Sequence, residues 1–256
     1  MKELLVERQD GISVLTLNRP DTYNALGISI CEALAHAVID EGSDPEVKVL
    51  VLTGAGKAFS GGGDIKGMSE YLDSDPVLFF KRLVMFLDAA ILDITRLEKP
   101  VLCAVNGIAA GAGLSLAMAC DMIFSAESAK FDAAYPRAGV VPDGAASFLI
   151  PRTIGYHRAM ELIYGDRALS AREAQEWGLI NRVVPDDELM QTTMDFARRL
   201  TRGPLSAFGT TKRLFLDGMQ STLETTLEAE RQAIAARGRT DEFRASVERF
   251  VKRNKE

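Results

Sequence analysis

One short strand, residues 101–105, most constrains what this chain can fold into, because all of its positions are apolar. A strand with apolar side chains on both faces must be covered on both faces, as in parallel sheets flanked by helices. Strand and helix patterns alternate around it, with helices at 29–41, 76–97 and 113–120 and further strands at 47–52 and 122–125. This alternation predicts an α/β fold with a largely parallel, helix-covered sheet.

The start of the chain predicts a β-hairpin. Residues 3–9 and 12–17 have the composition of strands, and Asp10-Gly11 between them suits a tight turn with positive φ values. The chain therefore opens with strands before the alternation begins.

The second half of the chain is mainly helical. Two S-x-x-E capping boxes, which predict helix starts, begin at residues 170 and 221. One strand, residues 180–184, interrupts the helices, and every segment after residue 186 has a helical pattern. We therefore expect a core of residues 1–185 that holds the functional site and a helical region of residues 186–256.

Charge and cysteine content limit the classes of binding partner and the cellular setting that are expected. The 256 residues include 30 basic and 36 acidic side chains without a block of like charge, which disfavours nucleic acid and anionic membranes. Cys31, Cys103 and Cys120 lie in apolar stretches and lack C-x-x-C spacing, so we expect reduced core residues. The first ten residues lack the apolar stretch of a signal peptide, and glycines break the uncharged run 101–120, so a cytoplasmic location without a membrane span is expected.

Two glycine-rich loops could carry chemistry. Residues 57–66 and 106–115 each follow a strand and precede a helix. Such loops can point several backbone N–H groups at one spot, and two of them could supply converging donors for one oxygen. The alternatives are a flexible loop for the first and close helix–strand packing for the second. Neither of the two glycine-rich segments matches the P-loop pattern or the G-x-G-x-x-G pattern.

Asp143 is the candidate acid/base residue. It lies in the sequence Val-Pro-Asp-Gly, which by itself is typical of a turn. A catalytic role needs a poorly solvated site that raises its pKa. The chain's two histidines, His36 and His157, lie away from acidic or cysteine clusters, so no metal site is expected. A Ser–His–Asp hydrolase is disfavoured because the sequence has no G-x-S-x-G elbow.

Four motifs in order resemble the crotonase superfamily, the enoyl-CoA hydratase/isomerase family. They are LNRPDTYNAL from residue 17, AFSGGGDIK from residue 58, NGIAAGAG from residue 106 and ALSAREAQEWGL from residue 168. The resemblance runs from about residue 3 to residue 253. It implies a spiral of ββα turns, a helical C-terminal region that forms trimers or dimers of trimers, and coenzyme A thioesters as substrates. Coenzyme A would enter as part of the substrate, and no separate cofactor is expected.

The resemblance also assigns site residues. It implies that the backbone N–H groups of Gly63 and Ala112 form an oxyanion hole. It further implies that the coenzyme A part of the substrate is bound by Tyr23, Ala25, Gly61, Asp64, Ile65, Lys66, Phe250 and Arg253. Arg253 departs from the family, which usually has lysine there.

The departures from the family indicate the reaction type. Hydratases of the family activate water with two glutamates, and this chain has Ser115 and Tyr135 at those positions. Tyr135 is therefore expected to contact the substrate rather than act as a base. Asp143 lies where the family's isomerases have one catalytic acid, and where the 4-chlorobenzoyl-CoA dehalogenase has its nucleophile. The dehalogenase's activating histidine corresponds to Asp88 here, which weakens that interpretation.

The resemblance thus favours an enoyl-CoA isomerase in which Asp143 moves a proton while an enolate is held in the oxyanion hole. Three alternatives remain open. The chain could be an enoyl-CoA hydratase, an aryl-CoA dehalogenase with Asp143 as nucleophile, or a non-catalytic acyl-CoA-binding relative.

Overall fold

A computed structural model describes residues 2–253 of the chain. Within that range the protein forms ten strands: β1 Leu4–Gln9, β2 Ile12–Leu17, β3 Val49–Gly54, β4 Ala58–Ser60, β5 Val101–Val105, β6 Ile108–Ala110, β7 Met122–Ala126, β8 Lys130–Asp132, β9 Leu169–Ser170 and β10 Arg182–Val184. The helices of the same range are α1 Ile28–Ser43, α2 Ile65–Ser69, α3 Pro76–Arg96, α4 Ala112–Met118, α5 Ala146–Ile154, α6 Tyr156–Tyr164, α7 Ala171–Glu176, α8 Leu189–Thr201, α9 Leu205–Gly218, α10 Leu223–Arg237 and α11 Asp241–Arg253.

The main sheet has six strands in the order β1-β2-β3-β5-β7-β10. The hairpin β1–β2 is antiparallel, with Leu4 opposite Leu17, and Asp10 and Gly11 at its turn have φ values of 52° and 77°. The remaining pairs in this sheet are parallel. The predicted hairpin and the largely parallel α/β architecture are therefore confirmed.

The second sheet is one that the sequence patterns did not predict. It has four strands in the order β4-β6-β8-β9, of which β8 and β9 are antiparallel and the other pairs parallel. Each strand has only two or three residues, and glycines follow β4 and β6 directly. Segments this short carry too little periodicity to be told from loops.

The core lies between these sheets and their helices. Its largest fully buried side chains include Phe59, Phe124 and Phe131. Helix α1 packs on β1, β2 and α3, while α8 packs on β2, β3, β5 and β7. The three cysteines are buried and unbonded, as predicted.

The C-terminal helix α10 is 15 residues long and buries none of its side chains within the chain. The predicted capping box at Ser221 is wrong. Thr222 is the N-cap and accepts from the Thr225 N–H, while the Ser221 hydroxyl donates to the Asp217 carbonyl. The capping box at Ser170 is confirmed.

In the part of the chain that the structure describes, no helix has the length and apolar character to cross a membrane. The division of the chain at residue 186 stays a prediction.

Candidate active site

A cavity of about 980 Å³ opens between the two glycine-rich loops, helices α2 and α3, and the segment 134–143. Its walls are mainly apolar and are lined by Ile65, Met68, Leu72, Pro76, Phe79, Phe80, Val84, Val140 and Val141, among others. Arg137 and Asp143 are the charged residues among those that line it. The cavity can therefore hold an apolar group next to one carboxylate.

The ends of β4 and β6 bring the two glycine-rich loops together. These strands are adjacent and parallel, so their carboxyl ends lie at the same edge of the small sheet. At Gly62 the backbone has a φ of +97°, and a Cβ there would lie 2.8 Å from the Ala110 carbonyl oxygen and 3.7 Å from the Ala112 nitrogen. Only glycine permits this approach, because a side chain would collide with the backbone of the other loop.

The two N–H groups predicted for an oxyanion hole are available to a ligand. Among residues 2–253, the amides of Gly63 and Ala112 donate no hydrogen bond within the protein. Their neighbours are occupied, since the Gly62 N–H donates to Ser60 Oγ at 3.2 Å and the Gly111 N–H donates to the Asp132 carbonyl at 2.9 Å. Both donors belong to residues in contact with the cavity, as an oxyanion hole requires.

Asp143 contacts Ser115 and Tyr135, the two residues that the family resemblance assigns to the hydratase glutamate positions. The Tyr135 hydroxyl lies 3.0 Å from Asp143 Oδ1 and 2.5 Å from Ser115 Oγ. Ser115 Oγ lies 3.0 Å from the Asp143 carbonyl oxygen. When Ser115 donates to Tyr135, the tyrosine proton is left for the Asp143 carboxylate. In this arrangement Tyr135 orients the Asp143 carboxylate and Ser115 orients Tyr135.

Burial raises the pKa of Asp143 above that of an ordinary aspartate, and the charge of Asp88 raises it further. The hydrogen bond from Tyr135 acts in the opposite direction because it stabilises the charged form. Burial and the charge of Asp143 raise the pKa of Tyr135, so its hydroxyl stays protonated and able to donate. The site therefore holds a carboxyl that binds a proton more tightly than an ordinary aspartate, which suits a group that takes up and returns a proton.

Arg19 connects the predicted coenzyme A segment to the first glycine-rich loop. Its guanidinium donates to the Ala25 carbonyl at 2.8 Å and pairs with Asp64 at 2.9 Å and with Glu3 at 3.2 Å. Asp64 also caps α2 by accepting from the Gly67 N–H. Since Asp64 directly follows Gly63, Arg19 ties the oxyanion loop to residues 23–27.

Gly61, Gly63, Ile65, Ala112, Tyr135 and Asp143 line the cavity together. The other predicted binding residues do not line it. Tyr23 is 60% exposed, Lys66 is exposed, and Asp64 is engaged by Arg19. Phe250 is 62% exposed on α11, and the side chain of Arg253 lies outside the described residues. The coenzyme A roles of all these residues stay predictions.

Sequence reasoning missed Arg137, whose guanidinium pairs with Asp132 and with Asp166 and is thereby neutralised beside the cavity. It also missed the contact between Tyr135 and Asp143. The spacing of eight residues between those two carries no periodicity, because a turn of irregular structure brings them together. In the described range, no three potential metal-ligating side chains cluster together.

The comparisons with known proteins identify the class of protein. The family model of enoyl-CoA hydratase/isomerase matches residues 7–256. The chain therefore belongs to this family of the crotonase superfamily, and the resemblance drawn from its motifs is confirmed.

Individual relatives differ in the reactions that their names give. The chain is 35% identical to the 1,2-epoxyphenylacetyl-CoA isomerase of Escherichia coli (strain K12), over 98% of this chain and 96% of that protein. It is 35% identical to 4-chlorobenzoyl coenzyme A dehalogenase-2 of an Arthrobacter species, over 90% and 84%. The crystal structure of an enoyl-CoA hydratase from Bacillus anthracis superposes with a TM-score of 0.92 at 30% identity, over 98% and 96%. The crotonase-like fold is thereby confirmed.

Proposed function

We propose that this protein is an enoyl-CoA isomerase. Asp143 removes a proton from C2 of a 3-enoyl-CoA and returns that proton to C4, so that the double bond moves from C3–C4 to C2–C3. The substrate and product have the same composition, and the carboxylate is regenerated. Coenzyme A enters and leaves as part of the thioester, and a proton transfer of this kind needs no separate cofactor.

One observation carries the proposal: Asp143 is the one carboxylate among the described residues that line the cavity. A single carboxylate suffices to take and return one proton. Hydratases of the family use two glutamates, and here those positions hold the hydroxyls of Ser115 and Tyr135. The Tyr135 hydroxyl contacts the Asp143 carboxylate and the Ser115 hydroxyl contacts Tyr135, so the two hydroxyls orient Asp143 rather than replace the missing bases.

The two glycine-rich loops can stabilise the negative charge that the reaction creates. Removing the C2 proton places negative charge on the thioester oxygen of a dienolate. The Gly63 and Ala112 N–H groups are unoccupied in the described part of the chain and can donate to that oxygen. By analogy with other oxyanion donors, each contributes about 3 kcal/mol to lowering the barrier.

The second candidate is aryl-CoA dehalogenation, which is favoured by the 35% identity to an Arthrobacter dehalogenase. In that reaction the Asp143 carboxylate would displace halide from the ring, and water would hydrolyse the resulting aryl ester. A carboxyl group attacks as a nucleophile only in its ionised form, so a nucleophilic aspartate is favoured by a low pKa. The nearby charge of Asp88 raises the pKa of Asp143 and so favours its protonated form. This suits a proton carrier better than a nucleophile.

The test is to incubate the purified protein separately with 3-hexenoyl-CoA, 2-hexenoyl-CoA and 4-chlorobenzoyl-CoA and to measure product masses after chromatography. Conversion of 3-hexenoyl-CoA to its 2-enoyl isomer without a mass change is expected. A product heavier by one water would make the protein a hydratase, and chloride release would make it a dehalogenase. If none of the three reacts although hexanoyl-CoA binds, the isomerase proposal fails for this substrate and a non-catalytic binding role is favoured.

A further inference from the structure

Helix α3 brings a second carboxyl group toward the site. Val84 on this helix lines the cavity, and the next two turns contact the backbone beside Asp143. A Cβ at Gly144 would lie only 2.9 Å from Ile91 Cδ1 and 3.4 Å from Leu87 Cδ2. Asp88 lies between these contacts along the helix, one turn after Val84. The turn that carries Asp143 therefore packs directly on the part of α3 that carries Asp88.

The Asp88 side chain has no partner that would explain it as a structural ion pair. Among residues 2–253, no side chain or backbone N–H donates to its carboxylate, and no cation pairs with it. It is nevertheless half-buried. Burying a carboxylate without a partner costs free energy, so a functional reason for its presence is worth seeking.

Other groups around Asp143 do not supply a charge. The groups in contact with it are the Tyr135 hydroxyl and the Ser115 hydroxyl of α4, and the Cys31 thiol of α1 is a further titratable group that the charge of Asp143 affects. Burial, together with the charge of Asp143, raises the pKa of Cys31 to about 12, so that thiol stays neutral. Arg137, the other charged residue that lines the cavity, is paired with Asp132 and Asp166, so within the described residues Asp88 is the unpaired charged residue that α3 brings toward Asp143.

We propose that Asp88 is a positioning residue: helix α3 holds its carboxylate beside the turn that carries Asp143, where it acts on that residue through its charge. The inference rests on the proposed isomerase function. A carboxylate that must remove a carbon-bound proton and keep it until it is delivered two carbons away benefits from stronger proton binding. Asp88 itself touches no reacting atom in this account.

The direct test is a titration that needs no turnover. Protein carrying ¹³C-labelled aspartate carboxyls is titrated by NMR, and the Asp143 signal is assigned by its loss in Asp143→Asn. In Asp88→Asn the Asp143 midpoint is expected to move to lower pH, because a like charge has been removed. Asp88→Glu, which keeps the charge, is expected to restore most of the wild-type midpoint. Asp93→Asn, a matched change on the same helix, is expected to leave it in place.

An Asp143 midpoint that is the same in Asp88→Asn as in the wild type would overturn the proposal. Thermal unfolding of each variant shows whether the fold is intact, and Asp88→Glu keeps the test valid if Asp88→Asn is destabilised. The activity measurement is separate: the acid limb of kcat/KM for 3-hexenoyl-CoA should move with the NMR midpoint. Absence of any isomerisation in the wild type would defeat the proposed function, while the NMR titration would still decide whether Asp88 acts on Asp143.

Discussion

At the scale of single residues, the Tyr135 hydroxyl is what separates this site from that of a hydratase. It donates to Asp143 Oδ1 at 3.0 Å and thereby lowers the pKa of that carboxyl, against the effects of burial and Asp88. In the proposed mechanism activity depends on ionised Asp143, so it is expected to be lost as the pH falls through the pKa of that group. The hydrogen bond from Tyr135 is then expected to extend the activity to lower pH.

Tyr135→Phe is therefore expected to move the acid limb of kcat/KM to higher pH, opposite to Asp88→Asn. A hydrogen bond to a charged group is worth about 1.5–3 kcal/mol, so on the acid limb kcat/KM at a given pH should fall roughly tenfold or more. The measurement is the pH dependence of 3-hexenoyl-CoA conversion, with the exposed Tyr156→Phe as control. An acid limb that stays in place or moves to lower pH would show that Tyr135 does not stabilise ionised Asp143.

The family resemblance singled out Asp143, Gly63 and Ala112, and the structure brings all three to one cavity, while their catalytic roles stay predictions. The sequence could not reveal that Ser115 and Tyr135 contact Asp143. That contact depends on the path of the 133–143 segment, which includes a residue with positive φ, Ala134 at 55°. Side-chain directions in such irregular segments follow from tertiary packing rather than from local periodicity.

At the scale of structural elements, Arg19 ties the first glycine-rich loop to residues 23–27. Its guanidinium joins the 23–27 segment to Asp64, which follows the donor Gly63 and caps α2. Arg8 offers a matched comparison, since it also pairs with two carboxylates, Glu41 and Asp44, but does not line the cavity.

Arg19→Gln is expected to lower kcat for 3-hexenoyl-CoA on the order of 10- to 100-fold, because small misplacements of catalytic donors are costly. Arg8→Gln should reduce stability without a comparable loss of kcat. Arg19→Lys should recover part of the rate, since it keeps the charge but loses the forked geometry. Steady-state kinetics and thermal unfolding of the three variants are compared. If the two glutamine variants lose kcat equally, Arg19 has no special role at the site.

Element prediction succeeded where apolar runs were long and failed where they were short. Strand β5 and helix α3 begin at the predicted residues, since each has a strong pattern and a clear start. Strands β4 and β6 lie in segments whose sequence predicts loops. Each strand has only three residues and is followed directly by a glycine, so its pattern cannot be told from that of the loop. The helix after residue 220 starts one residue later than its motif predicts, since both Ser221 and Thr222 are able to cap.

At the scale of the whole molecule, the C-terminal helices leave a large apolar surface exposed. It includes Phe215, Met219, Leu223, Leu227 and Ile234, each more than half exposed. Fully burying such a side chain contributes about 1.5–3 kcal/mol, and a surface of this kind marks an interface. We therefore expect assembly into trimers or dimers of trimers, as the family resemblance implies.

The double change Leu227→Glu with Ile234→Glu should shift sedimentation of the protein toward the monomer, because it places charges in the expected interface. Gln232→Glu, on the polar side of the same helix, should leave the assembly unchanged. Analytical ultracentrifugation at micromolar concentration checks both. A wild-type protein that sediments as a monomer would refute the expected assembly.

The measurement that tests the central claim most directly is the rate of 3-hexenoyl-CoA isomerisation by the wild type and by Asp143→Asn, with hexanoyl-CoA binding measured in parallel. The wild type is expected to form 2-hexenoyl-CoA. Removing the only carboxylate among the described cavity-lining residues should lower the rate by about 10²- to 10⁴-fold while leaving hexanoyl-CoA affinity unchanged. An Asp143→Asn variant that isomerises as fast as the wild type would contradict the account, because the proton would then be carried by another group.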